Sequence, residues 1–401
     1  MDSNVQVNTT TCRKLLSFLL FQIVFSSIVF TYVRNFTKPE PETTRDITQK
    51  PLEWFRNSRL AEKEPSNLTY VRNFTKPEPE TTRDITQKPS EWFRNSRLAE
   101  KEPSNLTLLL WAWPFGARFD IQKCSKLLGI PDCHITANRS WYSKADAVIV
   151  HHRDACSSPK RLPQDPRPPF QCWIWFNLES PSHSPNLGFM DGRFNLTMSY
   201  RRDSDIFTPY GWLEVLAQPE NVTIPPKSKL VAWVVSNWNP GSRRVRYYEE
   251  LKKHIHVDVF GHGRLPLSRD QHLSVLSQYK FYLAFENSIH EDYITEKLWK
   301  NSLLSGAVPV VCGPPRKNYE RYLPPSSFIH IDDFPTAEEL ANFLKELDRN
   351  TTRYHSYFLW RSWLKPVGLT FWNLHFCKAC LALQKKPIYY QTVPELSKWY
   401  K

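Results

Sequence analysis

Residues 280–312 read KFYLAFENSIHEDYITEKLWKNSLLSGAVPVVC, and the way this stretch divides decides the fold. Residues 280–286 are an apolar, aromatic run of strand length. Residues 287–293 are too polar to pack in a core. Residues 294–305 read as a helix stopped at Gly306, and residues 307–312 (AVPVVC) are again a buried-type strand. Strand, helix and strand in this order make a parallel βαβ unit, hence a Rossmann-like sheet. Ligands of such sheets bind beyond the carboxyl ends of the strands.

The alternation extends upstream. Residues 230–236 (LVAWVVS) predict a strand, residues 242–254 a helix with Val245, Tyr248 and Leu251 on one face, and residues 257–261 another strand. Before them, residues 108–112, closed by Trp113-Pro114-Phe115-Gly116, open a first α/β region whose further strands are 147–151, 172–177 and 194–200. The fold class is α/β, with one domain over 108–225, a second over 226–365 and a C-terminal segment at 366–401. The loops at 237–244 and 286–297 are where chemistry is expected.

Everything before residue 108 has a different character. Residues 31–68 recur at 69–106, with Leu52 replaced by Ser90. Two copies rich in Pro, Glu, Lys and Thr cannot bury a core, so residues 34–107 are expected to be a disordered lumenal stem. Residues 15–33 hold 14 apolar residues of 19 and no charge, enough for one transmembrane helix behind a cytosolic tail at 1–14. Eight N-x-S/T triplets follow, headed by Asn35, Asn67, Asn73, Asn105, Asn138, Asn195, Asn221 and Asn350. They favour a signal anchor with the body in the secretory lumen, glycosylated at Asn138, Asn195, Asn221 and Asn350. Seven of the eight cysteines also follow the span. An odd number in oxidising surroundings leaves one thiol free or shared between the chains of a homodimer. The net charge of +13 suits an anionic ligand such as a nucleotide or sugar phosphate. No basic run accompanies the aromatics, so nucleic acid is not an expected partner.

Several short motifs carry chemistry. Ser242-Arg243-Arg244 opens a helix, where free N–H groups, the helix dipole and an arginine fork suit a pyrophosphate. The alternative is a surface helix whose arginines pair with Glu249 or Glu250. In the 286–297 loop a carboxylate can hold ribose hydroxyls and a lysine can neutralise phosphate, against an ordinary cap with Glu296 and Lys297 in solvent. Asp203-Ser204-Asp205 has the form of a Mn2+ nucleotide site, but three-residue matches are weak, and Arg201 and Arg202 beside it can replace a cation. His151 and His152, adjacent at a strand end, point to opposite faces and so do not share a metal. Cys377 and Cys380 lack a second C-x-x-C, and Cys312 reads as a buried free thiol.

Residues 281–311 closely resemble the donor-site signature of the α1,3-fucosyltransferases. The likeness extends through WVVSNWNP (233–240), YRRDSDI (200–206), WIWFNLESP (173–181) and HHRD (151–154) to Cys377-x-x-Cys380. The chain looks most like vertebrate enzymes that fucosylate N-acetyllactosamine to give Lewis x-type structures. The resemblance implies a GT-B architecture, two Rossmann-like domains facing a cleft, acceptor domain first and GDP-fucose domain second. It implies GDP-fucose as co-substrate, no tightly bound cofactor, no metal site and no essential Mn2+. It also implies a single-pass type II protein of the Golgi membrane. Glu179 matches the family's general base. The donor site carried over comprises Tyr210, Val234, Val235, Ser236, Asn237, Arg244, Tyr282, Asn287, Tyr293, Glu296 and Lys297, with Arg244 and Lys297 neutralising the pyrophosphate. Arg153 stands where members with additional α1,4 activity tend to have Trp, which favours type 2 lactosamine acceptors on glycoproteins and glycolipids. Long-range disulfides are implied from Cys124 and Cys133 to Cys377 and Cys380, while Cys156 and Cys172 depart from the pattern and are candidates for an extra bridge.

Overall fold

In a computed structural model of the chain, residues 106–121, 124, 129–369, 373–385 and 391–401 are described. The expected tail, span and nearly all of the stem lie outside them. Among the described residues no helix is long and apolar enough to cross a membrane.

Two parallel sheets form the body. The first holds β1 (Leu106–Leu110), β2 (Cys133–Thr136), β3 (Ala147–His151), β4 (Cys172–Asn177), β5 (Leu196–Ser199) and β6 (Ile206–Phe207), in the order β2-β1-β3-β4-β5-β6. After β7 (Gly211–Val215), the second holds β8 (Lys229–Val234), β9 (Asp258–Phe260), β10 (Tyr279–Phe285), β11 (Val308–Cys312) and β12 (Ile329–His330), in the order β12-β11-β10-β8-β9. Every pairing within each sheet is parallel. Parallel sheets are covered on both faces, which is why β3, β4 and β11 are buried at every residue and read as unbroken apolar runs.

The helices of the second sheet differ in how well the sequence announces them. In α1 (Arg243–Leu251), Val245, Tyr248 and Leu251 are buried as their spacing predicts. The helix read at 294–305 begins later, as α2 (Lys297–Leu304), and winds as a π-helix. Its start is delayed because the Ile294 and Thr295 amides are used elsewhere, on the Asp292 carbonyl and the Glu286 carboxylate. The most amphipathic helix, α3 (Ala337–Arg349), is capped by Thr336 and buries Leu340, Ala341, Leu344 and Leu347 in the same core as Trp233 and Phe285.

The C-terminal segment returns to the first sheet. β13 (Leu364–Gly368) pairs antiparallel with β7, so a boundary drawn between residues 365 and 366 falls inside a strand. Phe376, Cys377, Ala379 and Cys380 of α4 (Asn373–Lys385), then Leu396 and Tyr400, join the core of the first sheet. Disulfides Cys124–Cys377 and Cys133–Cys380 span 253 and 247 residues. In the chain-entropy account, closing one loop of such length stabilises by about 5 kcal/mol.

Two expectations are corrected. Cys156 and Cys172 are free and buried, as is Cys312. Cys172 starts β4 and is in register with Ala147 at the start of β3, whereas Cys156 lies past the other end of β3. Five residues of strand, roughly 16 Å, separate the two ends, beyond the reach of a disulfide. Asn195 is 7% exposed; its Oδ1 accepts the Trp173 N–H at 2.7 Å and its Nδ2 donates to the Gln391 carbonyl at 2.8 Å. A glycan on that nitrogen has no room, whereas Asn138, Asn221 and Asn350 are exposed. The short strands β2, β6, β7, β12 and β13 are too brief or too polar to have read as strands in sequence.

Candidate active site

The loop after β8 leads to the N-terminus of α1. Val234 is half-buried, Val235 buried, and Ser236 and Asn237 exposed. Ser242 does not cap α1; its hydroxyl donates to the Asn239 carbonyl at 2.6 Å, so no side chain of the N-cap satisfies the first-turn N–H groups. Arg244 is 5% exposed, donates from Nη2 to the Asn237 carbonyl at 2.5 Å, and has a buried Nε with no hydrogen-bond partner. Burial lowers its pKa, against the opposing pull of Glu286. Arg243 turns away to Asp332, so the arginine fork is one arginine. Glu249 and Glu250 pair instead with Lys252 and Lys253.

The junction after β10 is organised by a carboxylate that the sequence reading did not single out. Glu286 has a fully buried side chain that accepts from the Thr295 N–H at 2.8 Å and lies 3.2 Å from Lys297 Nζ. Burial raises its pKa and Lys297 opposes the rise. Lys297 also reaches Glu296 at 3.0 Å. Burial would release its proton, but Glu286 and Glu296 outweigh that and raise its pKa. Glu296 is shifted down, Lys297 outweighing its desolvation. Lys297 therefore has two carboxylate partners, while no carboxylate of the described residues pairs with Arg244. Its strand-end position, directly after KFYLAF, was the signal that could have found Glu286.

Of the other expected donor residues, Tyr282 is fully buried and its hydroxyl accepts from Asn301 at 2.9 Å, so its side chain presents nothing to a ligand. Asn287 is half-buried and accepts from the Ser288 hydroxyl at 2.9 Å. Tyr293 packs edge-on to Tyr200, ring centres 5.0 Å apart.

Glu179 follows β4 by two residues on a loop knitted from within and from outside. Asn177 accepts the Glu179 N–H at 3.1 Å and donates to Ser184 Oγ at 2.7 Å. Tyr210, expected in the donor set, donates its hydroxyl to the Leu178 carbonyl at 2.6 Å, and Tyr400 donates to the Glu179 carbonyl. Burial first, then Tyr293, Glu296 and Glu179, raise the Tyr210 pKa, and its ring packs edge-on to Tyr293 with centres 6.4 Å apart. The two loops touch: the hydroxyls of Ser288 and Ser180 are hydrogen-bonded at 2.7 Å, and Ser182 Oγ lies 2.7 Å from His290 Nε2. The Glu179 carboxylate is left 23% exposed, with Arg153 Nη1 at 3.8 Å.

The remaining motifs are structural. Asp203 is held by Arg201 and by the Trp399 indole at 2.9 Å, and Asp205 by Thr197 at 2.8 and 2.9 Å. Arg201 is thereby spent on Asp203. His152 sits between the Pro185 carbonyl (2.9 Å) and the Trp175 indole (3.1 Å), and burial lowers its pKa to about 4. Among the described residues no group of three or more His, Cys, Asp or Glu could hold a metal ion.

Comparison with known proteins accounts for this layout. The fucosyltransferase N-terminal domain profile matches residues 103–211, and that of the glycosyltransferase family 10 (fucosyltransferase) C-terminal domain matches 224–399. A 4-galactosyl-N-acetylglucosaminide 3-alpha-L-fucosyltransferase of Pongo pygmaeus is 56% identical over 287 residues, 70% of this chain and 80% of the relative. A 3-galactosyl-N-acetylglucosaminide 4-alpha-L-fucosyltransferase of Homo sapiens is 55% identical over 298 residues, 73% of this chain and 82% of the relative. A solved α1,3-fucosyltransferase with GDP-fucose covers 74% of this chain and 94% of its own at TM-score 0.48 and 19% identity, too distant to carry an argument. With both halves of the body matched and relatives identical at more than half of the aligned positions, the chain belongs to the glycosyltransferase family 10 fucosyltransferases.

Proposed function

We propose that the protein moves L-fucose from GDP-β-L-fucose to the 3-hydroxyl of GlcNAc in Galβ1-4GlcNAc chains of glycoproteins and glycolipids, with inversion, in a GT-B cleft between the two sheets. One observation carries the reading. The Glu179 loop is docked on the loop after β10 through Ser180–Ser288 and Ser182–His290, so a partly exposed carboxylate stands beside the junction suited to a nucleotide. Glu179 takes the proton of the acceptor hydroxyl as that oxygen attacks the fucose anomeric carbon from the face opposite GDP. Charge on departing GDP is met by the uncapped N-terminus of α1 and by Arg244, whose unpaired Nε supplies a buried donor. Lys297, already offset by two carboxylates, contributes by orienting rather than by net charge. Mn2+ has no role in this scheme, and activity is expected to persist in EDTA.

A second reading is transfer to the 4-hydroxyl of Galβ1-3GlcNAc, favoured by relatives named for that reaction at 54–55% identity. Arg153 weighs toward the first. Residues 15–33 would anchor the enzyme in the Golgi membrane with this body in the lumen. A ninth triplet, Asn8-Thr9-Thr10, precedes the span, so the sequons weigh eight to one for that orientation.

The test is the full-length enzyme with GDP-fucose and both disaccharides, alongside Glu179→Gln. Loss of a general base lowers transfer by about 100- to 10,000-fold, while GDP binding is expected to survive. Turnover of Glu179→Gln close to wild type would sink the assignment.

A further inference from the structure

The turn after β1 carries a side chain that this scheme leaves without a task. Phe115 has φ 54° and ψ 25°, the left-handed region that a bulky L-residue seldom takes, yet its ring is 46% exposed. Strain of this kind persists only where the surroundings enforce it. Here Asp154 does so, its Oδ2 accepting the Phe115 N–H at 2.8 Å and lying 2.6 Å from His151 Nδ1. Burial would raise the Asp154 pKa, but His151, the Phe115 amide and Arg153 together hold it below the usual range, so the anchor stays charged.

The enforced turn puts the Phe115 ring under Arg153, whose guanidinium carbon is 4.9 Å from the ring centre. The same guanidinium reaches 3.8 Å from the Glu179 carboxylate, and the Arg153 side chain is otherwise 60% exposed. β1, β3 and β4 are neighbours in one parallel sheet, so Phe115, Arg153 and Glu179 stand in a row at its carboxyl end. A ring serving only as core would be buried; this one is presented outward at the expense of backbone strain.

We infer that Phe115 is a positioning residue of the acceptor site, fixing the Arg153 guanidinium beside Glu179 and thereby setting the choice between disaccharide linkages. The inference rests on Glu179 being the base. An exposed arginine on its flexible stem samples many rotamers, and a flat aromatic partner restricts them. When the free hydroxyls of Galβ1-3GlcNAc and Galβ1-4GlcNAc are superposed, their N-acetyl and hydroxymethyl groups fall on opposite sides. A cation fixed on one side discriminates between them, and a mobile one does so less.

The experiment measures kcat and KM of the full-length enzyme for both disaccharides and for GDP-fucose. Phe115→Leu keeps bulk but removes the aromatic face. It is expected to raise KM for Galβ1-4GlcNAc about three- to fivefold and to narrow the ratio of kcat/KM between the two acceptors, with KM for GDP-fucose unchanged. Phe115→Tyr restores the acceptor KM. In an Arg153→Ala background, Phe115→Leu has no further effect. Equal effects of Phe115→Leu in both backgrounds, or a parallel loss of donor affinity, overturn the inference. Absence of transfer by the unmutated enzyme would instead strike the reading beneath it.

Discussion

Two glutamates leave the carboxyl ends of parallel strands, and they are used in opposite ways. Glu286 directly follows β10; its side chain is wholly buried and its oxygens are taken by Thr295 and Lys297. Glu179 follows β4 by two residues; its backbone is fixed at both the N–H and the carbonyl, while its carboxylate stays partly open. One shapes a loop with its charge. The other has its charge presented by a loop that different groups shape. At the same topological position the carboxylate is thus spent on structure in one half and left partly open in the other, and its hydrogen-bond partners tell the two apart.

The largest effect expected from breaking that contrast is on stability, at Glu286. Glu286→Ala strands Lys297 with a single carboxylate, leaves the Thr295 amide unpaired and opens a cavity under the junction. Removing one partner of a buried pair costs about 3–5 kcal/mol. The matching change Glu179→Ala removes a carboxylate whose ion pair to the exposed Arg153 is long at 3.8 Å, and is expected to shift stability by less than about 1 kcal/mol. Thermal unfolding of the two variants, measured side by side, checks the contrast. Similar shifts for both would remove it.

The half built on the second sheet was the more legible in sequence because its signal is local. The 280–312 stretch contains its own strand, junction, helix and strand, and Glu296 with Lys297 stands out as charge on a helix start. Glu286 does not stand out in sequence, since a single acid ending an apolar strand looks the same whether it is buried or solvated; only Thr295 and Lys297 folding back decide. The half built on the first sheet depends on long-range contacts. The Glu179 loop is held by Tyr210 at the Leu178 carbonyl, 32 residues away, and by Tyr400 at the Glu179 carbonyl, 221 residues away, and no periodicity carries such pairings. Short edge strands such as β6, two residues long, exist because a neighbour is in register, not because of their own composition.

A pH experiment sharpens the comparison from the side of the first sheet. His152 is held neutral by burial, with its pKa lowered from 6.5 to about 4. Between those values the unfolded chain binds a proton that the folded chain refuses, so stability rises with pH across the window and is lost as pH falls through it. A depression of this size corresponds to about 3 kcal/mol. The unfolding midpoint is therefore expected to drop between pH 6.5 and 4, with a smaller drop in His152→Gln. An unchanged slope in that variant would assign the acid sensitivity elsewhere.

The smallest effect is the most informative about how Glu179 is held. Tyr400, one residue from the end of the chain, is fully buried against Trp175, ring centres 4.7 Å apart, and donates its hydroxyl to the Glu179 carbonyl. Tyr400→Phe keeps the packing and removes the hydroxyl that makes that hydrogen bond, a change of about 1 kcal/mol. If the bond served stability alone, the loss would appear in the unfolding midpoint and kcat would be unaffected. If it aims the carboxylate, kcat is expected to fall about three- to tenfold, because small misplacements of a catalytic group lower rate steeply. KM for GDP-fucose is expected to stay constant, since the donor junction is built by Glu286 and Thr295 and does not depend on this hydroxyl. A rise in donor KM equal to the fall in kcat would mean that the two halves are held by one network and that the division between Glu286 and Glu179 is drawn too sharply.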